Sequence, residues 1–170
     1  MQRRFSSEED AKAAYVGLDA SLDKALTLGL QGFNEAQSAN IAAQTAQGAK
    51  SGTLTVTGKV DQGASANKTM NLVAAMTDSS DNGSITYASA GASLDLSLKG
   101  IPDGTLSGQL VGDYTMTGDL EGTVHLALSF EGRLQPTMAD ATKIERKPGS
   151  TRITGAATTG DASYAVDVTR

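Results

Sequence analysis

The chain has 170 residues and a mass of 17.4 kDa, which suits a single domain over residues 1–170 with one hydrophobic core. Its 14 basic and 19 acidic residues give a net charge of −5, and aromatic residues make up only 4 %, so the positive field and stacking rings of a nucleic-acid-binding protein are missing. There is no cysteine, hence no disulfide, thiol nucleophile or cysteine-ligated metal, and no apolar run of about 18 residues that would predict a transmembrane segment.

Residues 7–48 are predicted to be helical. Ser7 is a suitable N-cap, and the acidic residues 8–10 complement the helix dipole in the first turn. Apolar residues then recur at steps of three and four to form one stripe: Ala11, Tyr15, Leu18, Leu22, Leu26 and Phe33. Gly29 and Gly32 each cost about 1 kcal/mol in a helix, and a straight helix over this range would be about 60 Å long. We therefore expect a kink or break near residues 29–32.

Residues 51–170 are predicted to form antiparallel β-structure, because apolar side chains alternate there with polar ones. Clusters of Gly, Asp, Asn and Pro divide the segment into seven to nine short strands. Asn82-Gly83 predicts a two-residue hairpin loop. Three-residue loops centred on Gly112 and Gly122 would make residues 94–130 a four-stranded meander. The segment 135–150 is expected to be a crossover or loop, with its basic run 143–147 in solvent.

These elements predict an α+β fold, in which the N-terminal helix packs on one face of a curved antiparallel sheet, or half-barrel, of seven to nine strands. One face of the sheet is apolar and the other polar, and the helix stripe is available to cover the apolar face. The alternatives are a closed barrel with the helix inside it and a sandwich with the helix at one end.

No group of residues in the sequence predicts catalysis, a cofactor or a metal site. His125 falls on the polar face of a strand, and the only partners to suggest are Ser129 and a distant Asp, without any nucleophile motif. The stretch "DSSDNG" at 78–83 resembles the start of a calcium loop, with Asp78, Asp81 and Asn82 as ligands. Because Ser89 stands where such a loop needs Glu, a hairpin tip is the better interpretation. We expect a protein that is not an enzyme.

The apolar face of the sheet is open to two interpretations. It is either an ordinary core, which makes the protein a structural or protein-binding module, or the wall of a cavity for a lipid or acyl chain, which makes it a carrier. Methionine adapts to variable apolar partners, so the methionines on this face are compatible with a ligand cavity as well as with a core. The residues that would line such a cavity are Met70, Leu72, Met76, Leu96, Met116, Leu126 and Leu128.

An Ala- and Gln-rich helix is followed by "GTLTVTGKV", "GTLSGQLVGDYTMTGDLEGTVHLALSF" and a closing "YAVDV". In this composition the chain resembles uncharacterised lipoproteins and secreted proteins of Gram-negative bacteria, of the kind that myxobacteria-like genomes hold. The resemblance implies an extracytoplasmic protein, periplasmic or associated with the outer membrane. No apolar segment follows the opening "MQRRF", so the sequence is expected to be a mature form without a signal peptide.

Overall fold

One helix and ten strands make up the described part of the chain in the computed structural model, which covers residues 3–4, 8–36, 38–61, 67–101, 103–159 and 162–170. The helix is α1 (Glu8–Glu35). The strands are β1 (Arg3–Arg4), β2 (Asn40–Gln47), β3 (Ser51–Val60), β4 (Lys68–Ser80), β5 (Ile85–Lys99), β6 (Thr105–Gly118), β7 (Leu120–Pro136), β8 (Ile144–Arg146), β9 (Arg152–Thr159) and β10 (Ala162–Thr169).

Nine of these strands form one antiparallel sheet, and the predicted α+β fold is confirmed. Eight lie side by side in the order β10-β9-β7-β6-β5-β4-β3-β2, so that neighbours in the sheet are almost always neighbours in sequence. The exception lies beside β7. Its outer edge pairs with β9 over residues 125–131 and with β8 over residues 134–136, while β1 pairs with its start in parallel.

The sheet curves around α1, which lies on its concave side. The helix backbone lies close to β2 and β3 at one end of the strand order and to β9 and β10 at the other. In a flat sheet neighbouring strands are about 4.8 Å apart, so the first and last of eight strands would be roughly 34 Å apart. This is far more than the width of a helix, so the sheet must curve for both of its edges to approach α1. The apolar stripe of α1 and the inward side chains of β2–β10 form one buried cluster.

The predicted helix over residues 7–48 is wrong in its second half. The helix continues through Gly29 and Gly32 and ends at Glu35, and residues 40–47 form β2. Both glycines allow close packing: a Cβ would lie 2.9 Å from Leu72 Cδ1 at the first and 2.4 Å from Ile41 Cγ2 at the second. The alanines and glutamines of β2 favour a helix locally, but pairing with β3 and the burial of Ile41 override that preference.

All three predicted turns are also wrong. Gly122 lies inside β7, opposite Met116, and the turn between β6 and β7 falls at Asp119 instead. Between β4 and β5 the loop has four residues, 81–84, and not two, because Ser80 Oγ and the Asn82 side chain hydrogen-bond across it. The predicted four-stranded meander is three long strands, β5 to β7. Gly112 lies inside β6, where a Cβ would meet Ala92 Cβ at 2.5 Å, so this glycine permits close strand approach and makes no turn.

Candidate functional site

The seven residues proposed to line an apolar cavity lie together in the core, on β4 to β7. Each has a relative exposure of 5 % or less, and each belongs to the cluster that packs against α1. Three cavities in the described part of the chain have volumes of about 300, 350 and 450 Å³, and none of these seven residues lines any of the three.

His125 forms a hydrogen bond on the convex face of the sheet. Its Nδ1 lies 2.8 Å from Asp113 Oδ1 on the neighbouring strand, and the two side chains are 47 % and 68 % exposed. Ser129 lies four residues further along the same strand, about 13 Å away at strand spacing, opposite Gln109 and Thr154. The structure therefore brings the histidine to an acid on an open surface, but not to Ser129.

The hairpin tip at 78–83 holds a structural carboxylate, Asp81. Its Oδ1 accepts from Lys24 Nζ at 2.6 Å and from the Ala49 N–H at 2.8 Å, and its Oδ2 accepts from Ser21 Oγ at 2.6 Å. Burial alone would raise the pKa of this carboxyl, but the three donors outweigh that effect and hold the pKa below 3.8. Asp81 thus ties α1 to two loops, and both oxygens that a cation would need are occupied by donors.

In the described residues, no three His, Asp or Glu side chains are arranged to hold a metal ion. Asp78 is exposed, with a φ of 43°, and takes no part in the contacts of Asp81.

The opposite flank of α1 is fixed to the segment 135–150 and to the end of the chain. Arg146 Nη2 donates to Asp23 Oδ1 at 2.5 Å and to Thr27 Oγ1 at 3.1 Å. Arg170 pairs with Asp19, one helical turn before Asp23. Asn34 bonds both backbone groups of Ile144, at 2.7 and 2.9 Å. Within the run 143–147, Ile144 and Arg146 are therefore docked onto the helix, while Lys143 and Lys147 are exposed as predicted.

Two cavities lie along this flank and share Arg146, and we call them together the helix–loop groove. The first, about 300 Å³, is lined by Thr27, Leu30, Gln31, Asn34, Thr137, Ile144, Glu145 and Arg146. The second, about 350 Å³, is lined by Asp23, Arg146, Lys147, Pro148, Gly149 and Arg170. The sequence contained one signal for this site, the basic cluster in a segment with two prolines, and gave no sign of which residues would face it.

The fold and these sites define an α+β protein with a helix held in a curved sheet. No family model matches the chain, and neither does any curated protein or solved structure. In the described residues, no helix is long and apolar enough to cross a membrane.

Proposed function

We propose that the protein is a non-catalytic structural or protein-binding module of the Gram-negative cell envelope. The observation that carries this proposal is the burial of the side chains on the concave side of the sheet. The stripe of α1 and the inward side chains of the strands bury one another, including the seven candidates for a ligand wall. A pocket for an acyl chain would be enclosed and mostly apolar, whereas the helix–loop groove has charged and amide side chains in its walls.

An open sheet edge supports the protein-binding role. Thr151 and Arg170 exchange two backbone hydrogen bonds, at 3.0 and 2.7 Å. In an antiparallel ladder such hydrogen-bonded pairs recur at every second residue, so the backbone N–H and C=O groups of the even-numbered residues of β10 bond to β9. The N–H and C=O groups of residues 163, 165, 167 and 169 therefore face outward. In the described part of the chain β10 pairs with β9 alone. It therefore offers a row of backbone donors and acceptors to which an extended segment of a partner can add.

The other edge of the sheet is protected. β2 contains a bulge between Ile41 and Gln44, and Gln44 Nε2 covers the Ala42 carbonyl at 3.1 Å. Lys24 Nζ covers the carbonyl of Gln47 at 3.2 Å. Bulges, lysines and prolines are the usual means of blocking edge pairing. β10 has a regular register with β9 and contains no lysine and no proline, which favours it as the edge that binds a partner.

Proline substitution tests the open edge. Ala165→Pro removes one outward N–H while sparing the ladder between β9 and β10, and Ala165→Ser keeps that N–H as the matched control. We expect cross-links between β10 and a partner protein in the host cell to persist in Ala165→Ser and to disappear in Ala165→Pro. Equal cross-linking of the two variants would contradict strand addition at this edge.

Two further measurements address the class and the location. Adding a fatty acid is expected to leave the unfolding temperature unchanged, because the side chains proposed to line a ligand cavity are buried in the cluster that packs against α1; a rise would favour the carrier. The envelope location rests on the compositional resemblance alone. Fractionation of host cells is expected to recover the protein with the periplasm or the outer membrane, and recovery with the cytosol would contradict it.

A further inference from the structure

Three basic side chains from two separate parts of the chain converge on one cavity of this acidic protein. Arg146 ends β8, Lys147 follows it, and Arg170 lies beyond β10. Together they line the second cavity of the helix–loop groove, whose volume of about 350 Å³ exceeds that of a small oxyanion. Such convergence is unexpected where the net charge of the chain is −5.

Among the described residues, two of the three cations are paired with acids, and the third is not. Arg146 pairs with Asp23 and Arg170 pairs with Asp19, which leaves Lys147. In the described residues Lys147 Nζ has no hydrogen-bonding or ionic partner. Within the described part of the chain, Lys147 is therefore the one cation of the three whose side chain is not already paired with an acid. The Arg146 side chain is only 11 % exposed and is fixed by its bonds, so part of the positive wall is already in place.

The backbone beside Lys147 adds a donor. The Ser150 N–H donates to the Lys147 carbonyl at 3.2 Å, with Pro148 and Gly149 between them. Gly149 has a φ of 74°, and with proline before it this is the pattern of a type II turn. In the described residues the Gly149 N–H has no acceptor. A backbone N–H beside a lysine and two arginines is a suitable setting for an anion.

We propose that this cavity binds a phosphate group. Lys147 Nζ and the Gly149 N–H are the groups free to contact it, while Arg146 and Arg170, each held by an aspartate, place guanidinium groups at fixed positions in the wall. Lysine binds phosphate as a compact charge, and arginine held by other contacts adds attraction without losing freedom on binding. The phosphate is carried either by a small soluble molecule or by the headgroup of an anionic phospholipid.

The test uses one probe for each source and a matched pair of lysine variants. Lys147→Ala removes the free cation, whereas Lys143→Ala removes a lysine of the same segment that does not line the cavity. Neither change breaks a side-chain hydrogen bond in the described residues, so both variants are expected to fold. Backbone NMR shifts are followed as inorganic phosphate is added at constant ionic strength, and binding to phosphatidylglycerol vesicles is measured by sedimentation, with phosphatidylcholine vesicles as the control.

We expect saturable binding of one of the two probes, with the Gly149 amide among the shifted resonances if the probe is phosphate. Wild type and Lys143→Ala should bind alike, and Lys147→Ala should bind at least about tenfold more weakly. Phosphate binding would indicate a soluble ligand, and vesicle binding alone a lipid headgroup. The proposal is overturned if neither probe binds, if chloride produces the same shifts, or if the two variants lose affinity equally.

Discussion

The packing of α1 against the sheet can be tested at a single glycine. Gly17 lies on the buried face of α1, where a Cβ would stand 2.2 Å from Tyr87 Oη and 3.1 Å from Tyr87 Cζ. That hydroxyl donates to the Ala14 carbonyl at 2.7 Å. Gly17→Ala must therefore push a buried ring out of place and break its hydrogen bond, although alanine is the better helix former.

The opposing free energies can be estimated. Alanine gains about 1 kcal/mol of helix propensity over glycine. Overpacking costs about 1–3 kcal/mol, and the lost hydrogen bond about 0.5–1.5 kcal/mol. We expect Gly17→Ala to lower the free energy of unfolding by about 2 kcal/mol. In a Tyr87→Phe background the hydroxyl is already gone, so the same change should be close to neutral and the coupling between the two sites should be about 2 kcal/mol.

Urea denaturation of the wild type, both single variants and the double variant measures this coupling. Gly29→Ala is the matched control, since its Cβ would meet only the flexible end of Leu72 at 2.9 Å; it should stay within about 1 kcal/mol of wild type. If Gly17→Ala were as stable as wild type, or had the same effect with and without the Tyr87 hydroxyl, α1 would not lie on Tyr87 as described.

Three other predictions follow from the anchors and the core. Asp81→Asn should destabilise the protein by about 1–2 kcal/mol at pH 7, while Asp78→Asn should be neutral. Because the pKa of Asp81 is lowered in the folded state, its stabilisation is present above pH 3.8 and is lost as the pH falls through the folded value, so urea curves of the two variants should converge in acid. Leu126→Ala should cost about 2–5 kcal/mol and Val111→Ala less than about 0.5 kcal/mol, since these side chains are 0 % and 40 % exposed; equal costs by thermal denaturation would contradict a packed core. Burial raises the pKa of three tyrosines, Tyr15, Tyr87 and Tyr114. Their stabilisation is present below pH 10 and is lost as the pH rises towards the folded values, so phenolate absorbance should increase together with loss of circular dichroism. The chain has four tyrosines, so ionisation of more than one of them in a protein that remains folded would refute this.

The period of the apolar residues predicted the sheet well, because alternation decides which face of a strand is buried. Leu54, Val56 and Val60 point inward on β3, and Leu94, Leu96 and Leu98 do so on β5. The first half of the helix was also predicted correctly, because the three- and four-residue spacing of its apolar residues decides which face of a helix is buried.

Predictions from local sequence were wrong where residues distant in sequence decide the secondary structure. Gly112 has the composition of a turn but allows β6 to approach Ala92, and only the position of β5 shows this. Residues 40–47 have the composition of a helix, yet β3 supplies a pairing partner that local propensity does not include.

The helix–loop groove was beyond sequence reasoning for a similar reason. Arg146 and Arg170 are separated by 24 residues of sequence, and they meet because β9 and β10 return the chain to the flank of α1. Asp19 and Asp23 are four residues apart and so lie on one face of the helix, but that spacing does not tell which cations reach them.

The central claim is that the concave side of the sheet is a closed core and not a cavity for a lipid. Native mass spectrometry of protein purified from its host cells tests this claim most directly. We predict a lipid-free mass of 17.4 kDa for the 170-residue chain. Because the groove at Lys147 is proposed to bind phosphate, the Lys147→Ala variant is measured in parallel. A stoichiometric fatty-acid or lipid adduct that persists in this variant would place the ligand between helix and sheet and contradict the claim.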